Sequence, residues 1–306
     1  MSSAEDVFQV RLPLQATLCE GLHWDTRRAC LWMVDIHGQR VMSWDTQSAS
    51  WQSWASPQRV GWVIPADQGD TLIAGLQQGV ARVSLSPSNT ELVLEDWLVK
   101  PFEGQPALRL NDAKADRTGA IWAGSLNNDD ESRSDGALYR LGPDGQWAVQ
   151  DTGYLVANGP AIHPDGKLML HTDSGRRTIY AFDLDMDAGR LDRKRVWRVF
   201  ADDEGYPDGM TFDAEGCLWV AHWGAACISR FAPDGSLLRR ITLPTSHITN
   251  VCFGGADLGR LFVSSARAGL SPQDLASQPL AGSLFEVDAG GVRGLSPYIA
   301  SQSPLR

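Results

Sequence analysis

Short apolar runs alternate with turn-forming polar segments along the whole chain, and the alternation repeats. The runs fall at residues 31–36, 72–76, 121–126, 168–172, 218–223 and 261–266. Leu31-Trp32-Met33-Val34-Asp35-Ile36 and Leu218-Trp219-Val220-Ala221-His222-Trp223 are typical. Each is short, rich in aromatic and branched residues and bounded by turn residues, which predicts strands. Most follow a turn such as His163-Pro164-Asp165-Gly166 or Asp213-Ala214-Glu215-Gly216. Most precede a second short alternating run, as at 137–141, 178–184 and 283–287. The one convincing helical signal is Ser271-Pro272-Gln273-Asp274-Leu275-Ala276, with Ser271 as N-cap and Pro272 in the first helical position; about one turn is expected there.

Successive runs begin about 40 to 50 residues apart, the length of a four-stranded propeller blade. Six such repeats fill the chain, which predicts an all-β fold: a six-bladed β-propeller forming a single domain over 1–306. Radial repetition buries both faces of each sheet and leaves only short edges. Phe8-Gln9-Val10-Arg11-Leu12 alternates ahead of the first repeat and is expected to pair with the run near 283–287, closing the ring. A β-sandwich is the other home for so many short strands, but it leaves the repeat phase unexplained. Trp32, Trp122 and Trp219 share one position in their runs and read as packing between blades, as do Trp24, Trp44, Trp51, Trp54 and Trp97; Trp62 and Trp223 are candidates for the channel mouth.

Polar residues recur in phase with these runs. About ten residues before four of them stand Glu20, Asn111, Asn158 and Asp208. Equivalent positions of a radially repeated fold converge on one axis, so a single polar cluster is expected. Glu20, Asn158 and Asp208 are each followed by Gly, which permits close backbone approach. An isolated Asn-Gly or Asp-Gly reads as a turn; recurrence at one phase favours a site. Two carboxylates and an amide oxygen suit one divalent cation: Ca, Mg or Mn, with Zn or Fe(II) if waters complete the shell.

Composition narrows the function. Of 306 residues 43% are hydrophobic and 21% charged, ordinary for a globular chain. The net charge of −10 argues against a nucleic-acid partner. No apolar run approaches the ~20 residues that span a bilayer, and residues 1–6 carry no leader signal. Five Cys with no CxxC pair read as reduced thiols, hence a cytoplasmic protein, with a monomer as the default for a closed ring. The six His residues form no HxxxH or HExxH spacing; His171 and His222 lie on core strands as candidates to support the site from behind. No GxSxG or phosphate-binding loop is present.

Glu20-Gly21, Arg109-Leu110-Asn111-Asp112, Asn158-Gly159 and Tyr206-Pro207-Asp208-Gly209-Met210, in that order and spacing, resemble the SMP-30/gluconolactonase family over about 18–280. His171-Thr172-Asp173, Cys252-Phe253-Gly254-Gly255 and Ala266-Arg267-Ala268-Gly269-Leu270 resemble its bacterial xylono- and arabinonolactonases. The resemblance implies a metal-dependent sugar lactonase that opens an aldonolactone, with one cation at the mouth of the channel. Glu20, Asn158 and Asp208 would bind it directly. Arg109, Asn111 and Asp129 match positions that contact substrate, Asp129 within the loop 127–135. Asp208 is the expected general base, with Asp173 an alternative. The rival readings are a broader lactone or ester hydrolase and a non-enzymatic calcium-binding regulator or interaction platform.

Overall fold

A computed structural model describes residues 7–86 and 90–301; residues 1–6, read above for a leader, lie outside the described residues. Six four-stranded antiparallel sheets are arranged as blades. Their first strands are Cys19–Asp25, Val60–Pro65, Leu108–Ala115, Ala157–Ile162, Tyr206–Phe212 and Ile248–Gly254. Each first strand packs on the first strand of the next blade, and that of blade 6 packs back on that of blade 1. The chain is therefore a closed six-bladed propeller. Phe8–Leu12 supplies the outer strand of blade 6: Phe8 pairs with Val287 and Val10 with Phe285, as the alternating pattern predicts. The expected helix forms over Pro272–Ser277, with the Asp274 backbone N–H donating to Ser271 Oγ at 3.1 Å.

The apolar runs legible in the sequence are the second strands, one step out from the axis. Cys30–Asp35, Leu72–Leu76 and Ile121–Asn127 are buried throughout. Fourth strands such as Arg190–Val199 are mostly exposed, because nothing packs outside them. Tryptophan ties the first two strands of three blades to the turn between them. Trp32, Trp122 and Trp219 each donate Nε1–H to a buried aspartate: Asp25 at 3.4 Å, Asp116 at 2.8 Å and Asp213 at 2.9 Å. A large apolar side chain is thereby buried with its one polar atom satisfied. Two tryptophans depart from expectation. Trp51 is exposed on an outer strand, and Trp62, read as a mouth residue, is buried between blades against Gly75.

Candidate active site

All six first strands lose register with their neighbours at one level. The breaks fall between Glu20 and His23, Val60 and Trp62, Leu110 and Ala113, Asn158 and Ala161, Pro207 and Met210, and Ile248 and Asn250. A bulge inserts unpaired residues and re-aims side chains. Here the re-aimed or flanking residues are Glu20, Asn111, Asp112, Asn158, Asp208 and Asn250, all buried. Blade 2 alone brings no polar side chain; it brings Gly61, where a Cβ would lie 2.4 Å from the carbonyl oxygen of Asn111. At Gly209 a Cβ would lie 2.5 Å from Nδ2 of Asn250. Missing side chains at these two positions let the strands close on the axis.

A chain of hydrogen bonds links three blades. Arg109 Nη1–H donates to Asn111 Oδ1 at 2.6 Å, and Asn111 Nδ2–H donates to Asn158 Oδ1 at 2.8 Å. Asn158 Nδ2–H donates to Ser174 Oγ at 2.9 Å, whose hydroxyl donates to the Pro207 carbonyl at 2.6 Å. A second link joins blades 6, 1 and 3: Asn250 Nδ2–H donates to Glu20 Oε2 at 3.0 Å and to Asp112 Oδ2 at 3.5 Å. Asp208 Oδ1 is buried with no hydrogen-bond partner.

Three carboxylates thus share the axis: Glu20 also accepts from the Gly21 backbone N–H at 3.1 Å and Asp112 from that of Ala113 at 2.7 Å, whereas Asp208 Oδ1 has no donor. Burial pushes Glu20 up to about 8, with the charge of Asp112 adding to it. Burial, then Glu20 and Asp112, hold Asp208 well above the carboxylate range, and burial raises Asp112. Burial lowers the Arg109 guanidinium to about 10, with Glu131 the first carboxylate opposing the fall. Close carboxylates in a dry site cannot all ionise unaided, and a bound cation inverts that logic. The orphaned Asp208 oxygen beside amide and carboxylate oxygens fits a hard divalent ion. The fit needs the amides: among the described residues no group of three or more His, Cys, Asp or Glu is placed to hold a metal.

The structure brings Arg109, Asn111 and Asn158 into one chain of contacts and sets Glu20 and Asp208 beside them. Asp129 stays apart. It is exposed, and its backbone N–H donates to Asn127 Oδ1 at 3.1 Å. Its neighbour Asn128 accepts from Arg109 Nε–H at 2.9 Å. Asp173 is no free base: its carboxylate accepts from the Leu155 and Val156 backbone N–H groups and from Arg176. Neither core-strand histidine touches the cluster. His171 packs edge-on against Tyr154, and His222 Nδ1 meets the Glu204 carbonyl at 2.7 Å. Trp223 stacks at 4.0 Å on His247 and lies at the end of the second strand of blade 5, toward the mouth. The sequence reading did not single out Asp112, Ser174 and Asn250. Asn250 had a signal, since it is the third residue of its strand as Asp208 is of its own.

The SMP-30/Gluconolactonase/LRE-like region matches residues 18–267. Regucalcin of Danio rerio is 33% identical over 283 residues, covering 90% of this chain and 92% of that protein. The 6-deoxy-6-sulfogluconolactonase of Pseudomonas putida is 32% identical over 263 residues, covering 86% and 88%. The solved structure of a luciferin-regenerating enzyme superposes with a TM-score of 0.91 at 27% identity, covering 96% of this chain and 99% of that one.

Proposed function

The chain belongs to the SMP-30/gluconolactonase/LRE-like family, and from that premise we propose that it is a hydrolase opening an aldonolactone of the glucono-, xylono- or arabinono- type to the aldonic acid. The observation that carries the reading is the buried acid cluster, with Asp208 Oδ1 unpartnered, beside a fixed Arg–Asn chain. The sulfogluconolactonase among its relatives supports the lactone as substrate class. Glu20, Asn158 and Asp208 would hold one divalent cation (Ca, Mg, Mn, Zn or Fe(II)), which supplies Lewis-acid polarisation of the lactone carbonyl when bound.

The protein's own groups do the rest. Arg109 spends Nε and Nη1 on Asn128, Leu110 and Asn111. A guanidinium has five N–H donors, so Nη2 is left to orient ring hydroxyls. Asn111, pinned between Arg109 and Asn158, fixes the same ring edge and supplies orientation. Water attacks the carbonyl carbon while Asp208 Oδ1 accepts its proton. The ring C–O bond then breaks, and the ring oxygen leaves as a hydroxyl after taking that proton back from Asp208. Burial among Glu20 and Asp112 raises Asp208 in the cation-free protein; a bound cation would lower its basicity again while its carboxylate stays beside the water. We take the protein to act as a cytoplasmic monomer without nucleic-acid or membrane partners; its five cysteines are free thiols.

The names of its regucalcin relatives favour one rival, a calcium-binding regulator with no chemistry. A pH-indicator assay over pentono- and hexonolactones separates the two. Acid release that stops on chelation and returns with added cation is expected. Cation binding without acid release on any lactone would replace the enzyme with the regulator.

A further inference from the structure

We propose that Arg59, at the channel mouth beside Arg109, forms a subsite for an anionic group carried by the lactone at the end remote from its carbonyl. The proposal rests on the lactonase reading and adds the substrate class: lactones ending in a carboxylate, sulfonate or phosphate.

The position follows from the strands. All first strands begin at the end of the channel that holds the polar bulges. Arg59 directly precedes Val60–Pro65. Gly61 of that strand presses against the next blade: a Cβ there would lie 2.9 Å from the Leu110 carbonyl oxygen and 2.4 Å from that of Asn111. Arg59 stands two residues toward the mouth from Gly61, and Arg109 two from Asn111. The two arginines therefore sit side by side on adjoining strands. The turn after the second strand of blade 1 brings His37 to the same rim; burial, then Arg109 and Arg59, push its imidazole below the ordinary value.

The charge balance there is unusual for this chain. The protein carries a net charge of −10, and several half-buried arginines elsewhere end on carboxylates, as Arg28 does on Asp25, Arg40 on Asp35 and Arg230 on Asp213. Among the described residues the Arg59 side chain makes no hydrogen bond or ion pair, although it is half-buried. Arg109 is held by neutral acceptors only. Two neighbouring guanidiniums repel one another, opposed at Arg109 by the charge of Glu131. An arriving oxyanion removes that cost and receives paired, planar N–H donors. The axis carboxylates would repel the same group, so it is the far end of the substrate that belongs at Arg59.

Glucono-1,4-lactone and glucaro-1,4-lactone share one ring and differ in a terminal hydroxymethyl or carboxylate, so they test the subsite. In Arg59→Met the ratio of kcat/KM for the glucaro- to the glucono-lactone should fall by roughly tenfold or more, chiefly through KM. Arg59→Lys should recover part of it. A ratio unchanged in Arg59→Met overturns the proposal, as does an equal loss on both lactones in a folded variant. Calorimetric binding of glucarate and gluconate separates this failure from that of the lactonase reading. Tighter binding of glucarate by the parent, with the difference lost in Arg59→Met, upholds the subsite even if neither lactone is opened. Equal binding by the parent removes it.

Discussion

The protein buries two sets of carboxylates at two levels of the same blades, and they live under opposite conditions. At the turns that follow first strands, Asp25, Asp116 and Asp213 are saturated with donors. Asp213 accepts from the Glu215 and Cys217 backbone N–H groups, both at 3.0 Å, from Trp219 Nε1 at 2.9 Å and from Arg230 Nε at 2.8 Å. Burial alone would raise Asp25, yet the hydrogen bond and charge of Arg28 and two backbone N–H groups outweigh it and hold the group below its ordinary value. At the axis, Glu20, Asp112 and Asp208 are more fully desolvated, and their pKa values rise. Deeper burial and fewer donors both separate the axis set from the first. Saturated aspartates hold a blade together. Starved ones store an affinity for a cation or a proton.

Exchanging roles at the axis should give the largest effect. Asp208→Asn keeps an oxygen and the volume but removes the proton acceptor, so kcat should fall by roughly 10²–10⁴-fold. Metal content measured on the same sample separates loss of the base from loss of the cation. A variant with parental metal content and parental kcat would make Asp208 a ligand alone.

The matching change in the saturated set should unfold rather than inactivate. Asp213→Ala strands Trp219 Nε1 and two backbone donors and leaves Arg230 with Glu215 alone. A buried donor left unsatisfied costs about 1–3 kcal/mol, to be read as a lower denaturant midpoint. Specific activity per folded molecule should stay parental. Loss of activity with stability intact would erase the distinction drawn here.

Glu20→Gln should act in opposite directions with and without cation. In chelated protein it removes a crowded acid, and the thermal midpoint should rise. With cation present the metal-induced rise in that midpoint should shrink. A variant less stable than its parent in both states would show that Glu20 serves the fold instead.

The smallest effect concerns buried histidines outside the cluster. Burial pushes His23 and His171 down to about 3 and His222 to about 4. The unfolded imidazole titrates near ~6.5, so between there and about 4 the unfolded chain binds more protons. Stability is full above ~6.5 and is lost as pH falls, by up to about 1.4 kcal/mol per pH unit for each group. His171→Phe should flatten this slope while leaving the Tyr154 contact occupied. An unaltered slope in chemical denaturation would assign the acid sensitivity to other groups.

Repeat period, turn chemistry and the Phe8–Leu12 closure were legible in the chain, because a propeller writes the same two-residue alternation and turn into every blade. So was the shared level of Glu20, Asn111, Asn158 and Asp208. The loop beside Arg109 was legible only as a loop: register alone could not choose Asn128 over Asp129, since a turn decides which of two adjacent side chains faces inward. Trp62 and Trp223 look alike as aromatic residues, and only the neighbouring Gly75 and His247 set one between blades and the other toward the mouth. Local alternation is a property of the sequence, and it determined six blades and the level of the site. Satisfaction of a buried charge is a sum over distant partners. Asn250 reaches Glu20 across 230 residues of chain, so which carboxylates are starved was decided only when the ring closed.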